Sequence, residues 1–279
     1  SAHYDLSNDF FELMLDDTMM YSSGIFETED STLKEASVRK LDSICKKLDL
    51  GPGDHVLEIG TGWGGFAIHA AKHYGARVTT TTISAEQHKF AAQRISEEGL
   101  EDKVHLLLKD YRELEGTFDK LVSIEMIEAV GHHYYQTFFK VCMDRLKPGG
   151  AALIQAITIA DHVYEEARDS VDFIKRYIFP GSCIPSITAL CDAARRSSDL
   201  KLYDLQDIGE DYAKTLLAWR ERFFARIDKV RALGFDDEFI RMWDFYLCYC
   251  AAGFQERHIS DVHLLMTRPG ATLKNVNRN

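Results

Sequence analysis

The stretch with the clearest chemical potential is Val56-Leu57-Glu58-Ile59-Gly60-Thr61-Gly62-Trp63-Gly64-Gly65. An apolar run enters a glycine-rich turn and then a helical pattern, so a ligand can approach bare backbone N–H groups at a helix start. Gly60, Gly62 and Gly65 also fit the dinucleotide pattern G-x-G-x-x-G, a weak signal alone. A nicotinamide site would place an acid at the end of the second strand for the ribose hydroxyls. That strand ends Thr79-Thr80-Thr81-Thr82, without a carboxylate. The acid precedes the glycines instead, as Glu58, which suits the methyltransferase version of such a loop.

Other residue groups are weighed against plainer roles. Ser84-Ala85-Glu86-Gln87 reads as an S-x-x-Q capping box and, with Thr82 before it, as a ligand edge. Asp110-Tyr111-Arg112 follows the third strand, where a carboxylate and an aromatic face could hold an adenine. Glu128 follows an apolar strand; it is either a base or a helix N-terminal carboxylate favoured by the dipole. His69 and His73 stand at i, i+4, but no third ligand accompanies them, so no metal site is expected. There is no Gly-x-Ser-x-Gly elbow.

These groups need elements to position them. Buried strands are predicted at 55–59, 77–83, 104–109, 120–124, 151–158, 200–208 and 259–268, with helical patterns at 64–74 and 85–97. Strands alternating with helices imply an α/β fold with right-handed crossovers. The expected fold class is a Rossmann-like class I methyltransferase, a seven-stranded, mostly parallel sheet with a helical cap. One domain over 1–279 is expected: an N-terminal helical segment (1–50) covering the cofactor, a core (51–160), cap insertions (161–199 and 211–254) and a last strand (259–268). Insertions this long inside a compact domain are usually functional.

Composition narrows the partners. Lys and Arg number 33 against 44 Asp and Glu, a net charge of -11, which argues against nucleic acid. No apolar run reaches the length of a membrane span, and the start lacks the basic and apolar regions of a signal peptide. The six cysteines show no C-x-x-C spacing and read as free thiols of a reducing, cytoplasmic compartment.

Several further motifs, in order, carry a resemblance to a known family. They are His3-Tyr4-Asp5-Leu6-Ser7-Asn8-Asp9-Phe10-Phe11, Met20-Tyr21-Ser22-Ser23, Ser123-Ile124-Glu125-Met126-Ile127-Glu128-Ala129-Val130-Gly131, Tyr177-Ile178-Phe179-Pro180-Gly181, Tyr212-Ala213-Lys214-Thr215-Leu216 and Tyr249-Cys250-Ala251-Ala252-Gly253-Phe254. With the glycine loop, they make the chain resemble the cyclopropane fatty acid and cyclopropane mycolic acid synthases from His3 to about Pro269. The resemblance implies that Tyr21, Ser22, Gly60, Gly62, Thr82 and Gln87 contact S-adenosylmethionine, with Asp110, Tyr111 and Arg112 on the adenine side. It also implies a bicarbonate ion as base, held by Ser23, Glu128, Gln155, Ile157 (through its backbone) and Tyr212. Two positions depart from the common pattern: Ser23 stands where many members have Cys, and Gln155 where many have His. Glutamine can donate a hydrogen bond but cannot become cationic.

The implied chemistry is methyl transfer to a cis double bond of a lipid acyl chain, then proton loss to close a cyclopropane. An alkene attacking a methyl sulfonium becomes a carbocation, so the site must exclude water and offer unreactive aromatic faces. Candidates are Phe173, Tyr177, Phe179, Trp219, Phe223, Phe224, Trp243, Phe245 and Tyr246, each of which taken alone reads as plain core. Alternatives are a methyl- or methylene-branched product, a small-molecule N- or C-methyltransferase, and a non-catalytic lipid- or cofactor-binding protein. The expected partner is an unsaturated acyl lipid, with peripheral membrane contact; a homodimer stays open.

Overall fold

The computed structural model describes residues 6–274. The first residues of the N-terminal motif, His3-Tyr4-Asp5, lie outside them. The strands are β1 (His55–Ile59), β2 (Arg77–Thr82), β3 (Val104–Leu108), β4 (Phe118–Ile124), β5 (Leu146–Ile159), β6 (Lys201–Asp207) and β7 (Ile259–Thr267). They form one seven-stranded sheet in the order β3-β2-β1-β4-β5-β7-β6. The pairs through β5 are parallel, while β7 runs antiparallel to both β5 and β6. Strand order reverses between β1 and β4, the switch point at which open α/β sheets bind ligands.

The helices are α1 (Asn8–Met14), α2 (Leu33–Lys47), α3 (Gly65–Tyr74), α4 (Ala85–Glu97), α5 (Ile127–Val130), α6 (Tyr135–Arg145), α7 (Tyr164–Asp169), α8 (Ile187–Ser197), α9 (Gly209–Ala225), α10 (Ile227–Ala232) and α11 (Asp237–Gln255). One face of the sheet buries Val56, Val78 and Leu153 against Ile44 of α2, Phe66 and Ala70 of α3 and Ile95 of α4. The other buries Leu57, Leu121 and Ile154 against Phe138 and Phe139 of α6 and Leu190 of α8. A separate, largely aromatic core joins α1, α9, α10 and α11 through Phe10, Trp219, Phe223, Val230, Phe239 and Trp243.

The cap differs from its expected extent. Helix α8 carries a narrow buried stripe of Leu190, Ala193 and Ala194, and its two alanines let it pack closely against α6. It therefore flanks the sheet rather than covering the edge. The cap proper is built from α9, α10 and α11 with the segment around Ile174–Ile178. Thr32 starts α2 with a full capping box: its hydroxyl accepts from Glu35 N (3.2 Å) while the Glu35 carboxylate accepts from Thr32 N (2.8 Å). The buried stripe of α2 includes Lys40, an unusual core residue.

Candidate active site

The carboxyl ends of β1 and β2 make a cradle. Gly60 has φ 100° and Gly62 φ 53°, left-handed values that favour glycine. A Cβ on Gly62 would meet nothing within 4 Å, so that side of the loop is open for a ligand. Gly60 N and Thr61 N donate to Thr81 O, tying the turn to β2. Glu58 and Thr80 are register partners, and the Thr80 hydroxyl donates to the Glu58 carboxylate at 2.6 Å. Burial pushes the Glu58 carboxyl up to about 8. Thr82 donates to Gln87 Oε1 at 2.9 Å, and Ser84 Oγ caps α4 by accepting from Gln87 N. The Gln87 side chain therefore turns to Thr82 rather than back to Ser84. Asp110 forms a two-pronged pair with Arg112 (2.9 and 2.7 Å), which holds its carboxyl below the usual range. Tyr111 rests half-buried against Phe138. Ile83, just past β2, leaves 78 % of its surface exposed, an apolar face suited to a flat ring.

The ends of β4 and β5 make a second region. Segment Tyr21–Gly24 is pinned from two sides: Lys40 Nζ donates to Ser22 Oγ (2.6 Å), and Gly24 N donates to Thr215 Oγ1 of α9 (3.0 Å). The Ser23 hydroxyl turns away to Gly24 O, leaving its backbone N–H aimed at the sheet edge. That N–H donates to Glu125 Oε1 at 2.8 Å. Gln155 Nε2 donates to the same oxygen at 2.9 Å, and the Tyr212 hydroxyl donates to Glu125 Oε2 at 2.6 Å. Ile157 N donates to Glu128 Oε1 at 2.6 Å, while Glu128 Oε2 has no hydrogen-bond partner among the described residues. Burial, then the neighbouring Glu125, pushes the Glu128 carboxyl up to about 8.

Strand register explains the deeper layer. Gln155 on β5 faces His263 on β7, and Ile157 faces Asp261. The Gln155 side chain therefore reaches its direct partner and the diagonal one: its Nε2 donates to Asp261 Oδ2 at 2.8 Å, and its Oε1 meets His263 Nε2 at 3.2 Å. Burial pushes the Asp261 carboxyl well up and the His263 imidazole well down. Lys40, fully buried, is pushed down to about 8 by burial, against the carboxylates of Glu125, Asp261, Asp16 and Glu58.

Above these groups lies a cavity of about 710 Å³, mostly apolar, between the β4–β5 ends and α9 and α11. Glu125, Glu128 and Tyr212 form its polar inner wall; Ile157, Leu216, Phe254 and Tyr246 line its sides. Tyr21 lines it too, and its hydroxyl hydrogen-bonds Tyr246 (2.9 Å). Through Phe11, 5.0 Å from Tyr21 and 4.8 Å from Trp63, the cavity adjoins the glycine loop. Of the nine aromatics singled out from sequence, Phe179 and Tyr246 line the cavity. Trp219, Phe223 and Trp243 are aromatic core, Phe173 packs half-buried against it, and Phe224, Phe245 and Tyr177 are partly exposed.

The structure thus gathers Ser23, Glu128, Gln155, Ile157 and Tyr212 at one place, but three of them are engaged by a residue the sequence did not single out, Glu125. Its signal was there: an acid ending the apolar run Leu121-Val122-Ser123-Ile124, three residues before Glu128. Asp261 and Lys40, which brace the site through Gln155 and Ser22, and Tyr249 and Phe254, which line the cavity, are further site residues that the sequence alone does not mark. His69, of the histidine pair, is tied to Asp42 (2.9 Å) and packs on His73.

The sheet order, the glycine turn after its first strand and the helical cover over the carboxyl ends define a Rossmann-like methyltransferase fold. The description "Mycolic acid cyclopropane synthetase" matches residues 1–264, and the chain belongs to that family. It is 40% identical over 277 residues to the tuberculostearic acid methyltransferase UfaA1 of Mycobacterium tuberculosis, covering 97% of this chain and 65% of that protein. It is also 40% identical over 267 residues to the cyclopropane-fatty-acyl-phospholipid synthase of Escherichia coli K12, covering 95% of this chain and 66% of that one. The chain thus spans about two thirds of the length of these two curated relatives. The mycolic acid cyclopropane synthase CmaA1, solved with SAH and CTAB, superposes with a TM-score of 0.87 at 30% identity, covering 95% of this chain and 96% of that one.

Proposed function

We propose that this chain transfers a methyl group from S-adenosylmethionine to the cis double bond of a lipid acyl chain, with proton loss closing a cyclopropane. The observation that carries this is the apolar cavity of about 710 Å³, walled by Glu125, Glu128 and Tyr212 where it meets the β4–β5 ends. An acyl chain fits the apolar sides, and the reacting carbons would lie against the carboxylates. The solved relative bound to SAH and to CTAB, a long-chain amphiphile, supports a protein that takes both the cofactor and an alkyl chain.

The cradle fits S-adenosylmethionine, because Gly62 is open where a ligand would approach and the apolar Ile83, just past β2, is exposed. Backbone at Gly60 and Gly62 would hold the amino-acid part with Tyr21 and Ser22, Thr82 and Gln87 the ribose side, and Asp110, Tyr111 and Arg112 the adenine. Glu58 acts from beneath, bracing the loop through Thr80. When bound, the cofactor supplies an electrophilic methyl group. Tyr212, Tyr246 and Phe254 then face the positive charge that develops on the acyl chain, and the cap keeps water from trapping it.

Added bicarbonate does not fit the residues present. Ser23 N–H, Gln155 and Tyr212, the donors that would hold it, all donate to Glu125, and Ile157 N–H donates to Glu128. A methyl-branched product remains a second reading, favoured by the 40% identity to a tuberculostearic acid methyltransferase.

No described helix is long and apolar enough to cross a membrane. Contact with a lipid surface would come through the cap, where Val171, Tyr177, Phe179, Phe245 and Tyr249 are exposed, with the exposed Arg176 among them. The test is expression in a bacterium rich in monounsaturated phospholipid, followed by mass spectrometry. The expected result is a gain of one CH₂ on monounsaturated chains, with the ring located by fragmentation. Cofactor binding without any modified lipid would remove the acyl substrate from the account.

A further inference from the structure

The acid at the centre of the cavity wall sits in an improbable backbone state. Glu125 has φ 47°, a left-handed conformation that non-glycine residues rarely adopt and that persists where the surroundings enforce it. Its N–H donates to Gln155 O (2.8 Å), and three donors converge on its side chain: Ser23 N–H, Gln155 Nε2 and the Tyr212 hydroxyl. Part of its surface nonetheless stays open to the cavity. This strained turn, with three elements supplying donors, aims one carboxylate at the place where an acyl chain would react.

Three acids crowd here, and they cannot all be charged. Glu128 receives one hydrogen bond, from Ile157 N, and Asp261 one, from Gln155 Nε2. Glu128 Oε2 and Asp261 Oδ1 have no partner among the described residues. Burial raises the Glu125 carboxyl too, but it alone receives three hydrogen bonds, and these donors and the positive field of Lys40 work against that rise. Donors favour the ionised form, so the negative charge belongs on Glu125 while its neighbours keep their protons.

We infer that Glu125 is the built-in base of the reaction, its carboxylate accepting the proton that leaves the methylated acyl chain, so that no added carboxylate or bicarbonate anion is needed. This rests on the alkene methylation proposed above. In the step, a C–H bond of the new methyl group breaks, and its electron pair forms the bond that closes the ring on the cationic carbon. The proton goes to a Glu125 carboxylate oxygen and later leaves to solvent through the cavity mouth. Asp261 is a positioning residue, holding Gln155 so that its second N–H points at Glu125.

The decisive substitution is Glu125→Gly, because glycine relaxes the positive φ and opens space among the same donors. The purified chain and the variant are assayed with monounsaturated phospholipid vesicles in carbonate-free buffer, with bicarbonate or formate then added. The wild type should keep its rate without bicarbonate. The variant should lose about a hundredfold or more, the usual scale for a positioned base, and regain rate as either anion is added. Glu125→Gln should be as slow and gain nothing, since its amide fills the place. Carbon-13 bicarbonate binding, read by NMR, gives a readout free of turnover: none for the wild type, saturable binding for Glu125→Gly. A wild type that binds bicarbonate, or needs it for turnover, would overturn the inference, as would a Glu125→Gly variant at full rate without anion. If no lipid is modified but the two binding results hold, the lipid reading fails and the assignment of Glu125 to the anion's place stands.

Discussion

The two halves of the site are built by different means. On the β1–β2 side, backbone does most of the shaping: glycines at φ 100° and 53°, a helix start and a row of threonines within some thirty residues of chain. On the β4–β5 side, side chains from distant segments converge. Ser23, Glu125, Gln155, Tyr212 and Asp261 meet through hydrogen bonds spanning 30 to 106 residues. Backbone cradles tolerate many side chains around them, whereas a converging network fixes which group carries charge. The first region defines the cofactor class; the second decides what happens to the acceptor.

The sharpest way to break the first region is Gly60→Val. A β-branched residue at φ 100° with Met126 Cγ 3.3 Å from its Cβ is strained by about 1–3 kcal/mol. Cofactor affinity, measured by calorimetry, should fall about tenfold to a hundredfold. Tyr212→Phe breaks the second region without disturbing the first. Losing a hydrogen bond to a charged carboxylate costs about 1.5–3 kcal/mol, so kcat should fall by about tenfold to a hundredfold while cofactor affinity holds. A parallel loss of cofactor affinity would show that the two regions are not separable.

A smaller effect tests the buried acid under the cradle. The Glu58 carboxyl is raised from its ordinary value to about 8, so the folded protein holds that proton more tightly than the unfolded chain. Its contribution to stability is present at low pH and lost as pH rises towards about 8. The melting temperature should therefore decline more steeply across that window in the wild type than in Glu58→Gln; equal slopes would refute it. The smallest effect is expected at the cavity mouth. Tyr249 is 44% exposed, so Tyr249→Ala should raise KM for long acyl chains a few-fold, with stability changed by no more than about 0.5 kcal/mol.

Legibility in the sequence follows the same division. The strands at 55–59, 77–83 and 104–109 stand where β1, β2 and β3 do, give or take a residue, because apolar runs and turn residues mark them locally. The seven-stranded, mostly parallel sheet was legible for the same reason. Helix α8 was read as cap because the segment's length exceeded the sheet's needs; its Leu190-Ala193-Ala194 stripe was the sign that it flanks α6. The network was legible only through family resemblance, which brought Ser23, Gln155, Ile157 and Tyr212 together but expected an added anion between them. For Glu125 the sequence shows only an acid closing the apolar run Leu121-Val122-Ser123-Ile124; neither its left-handed turn nor the convergence of three donors leaves a periodic trace. Phe254, stacked on Tyr212 with centroids 4.4 Å apart, was hidden in the same way inside an apolar helix.

The most direct test of the central claim uses trideuteromethyl-labelled S-adenosylmethionine with a monounsaturated phospholipid and the purified chain. Ring closure with proton loss from the transferred methyl to Glu125 leaves two of its three deuteriums in the product, as a CD₂ bridge. That is the expected mass spectrum. A product retaining all three deuteriums would mean that the proton came from the acyl chain itself, and would contradict cyclopropane formation at this site.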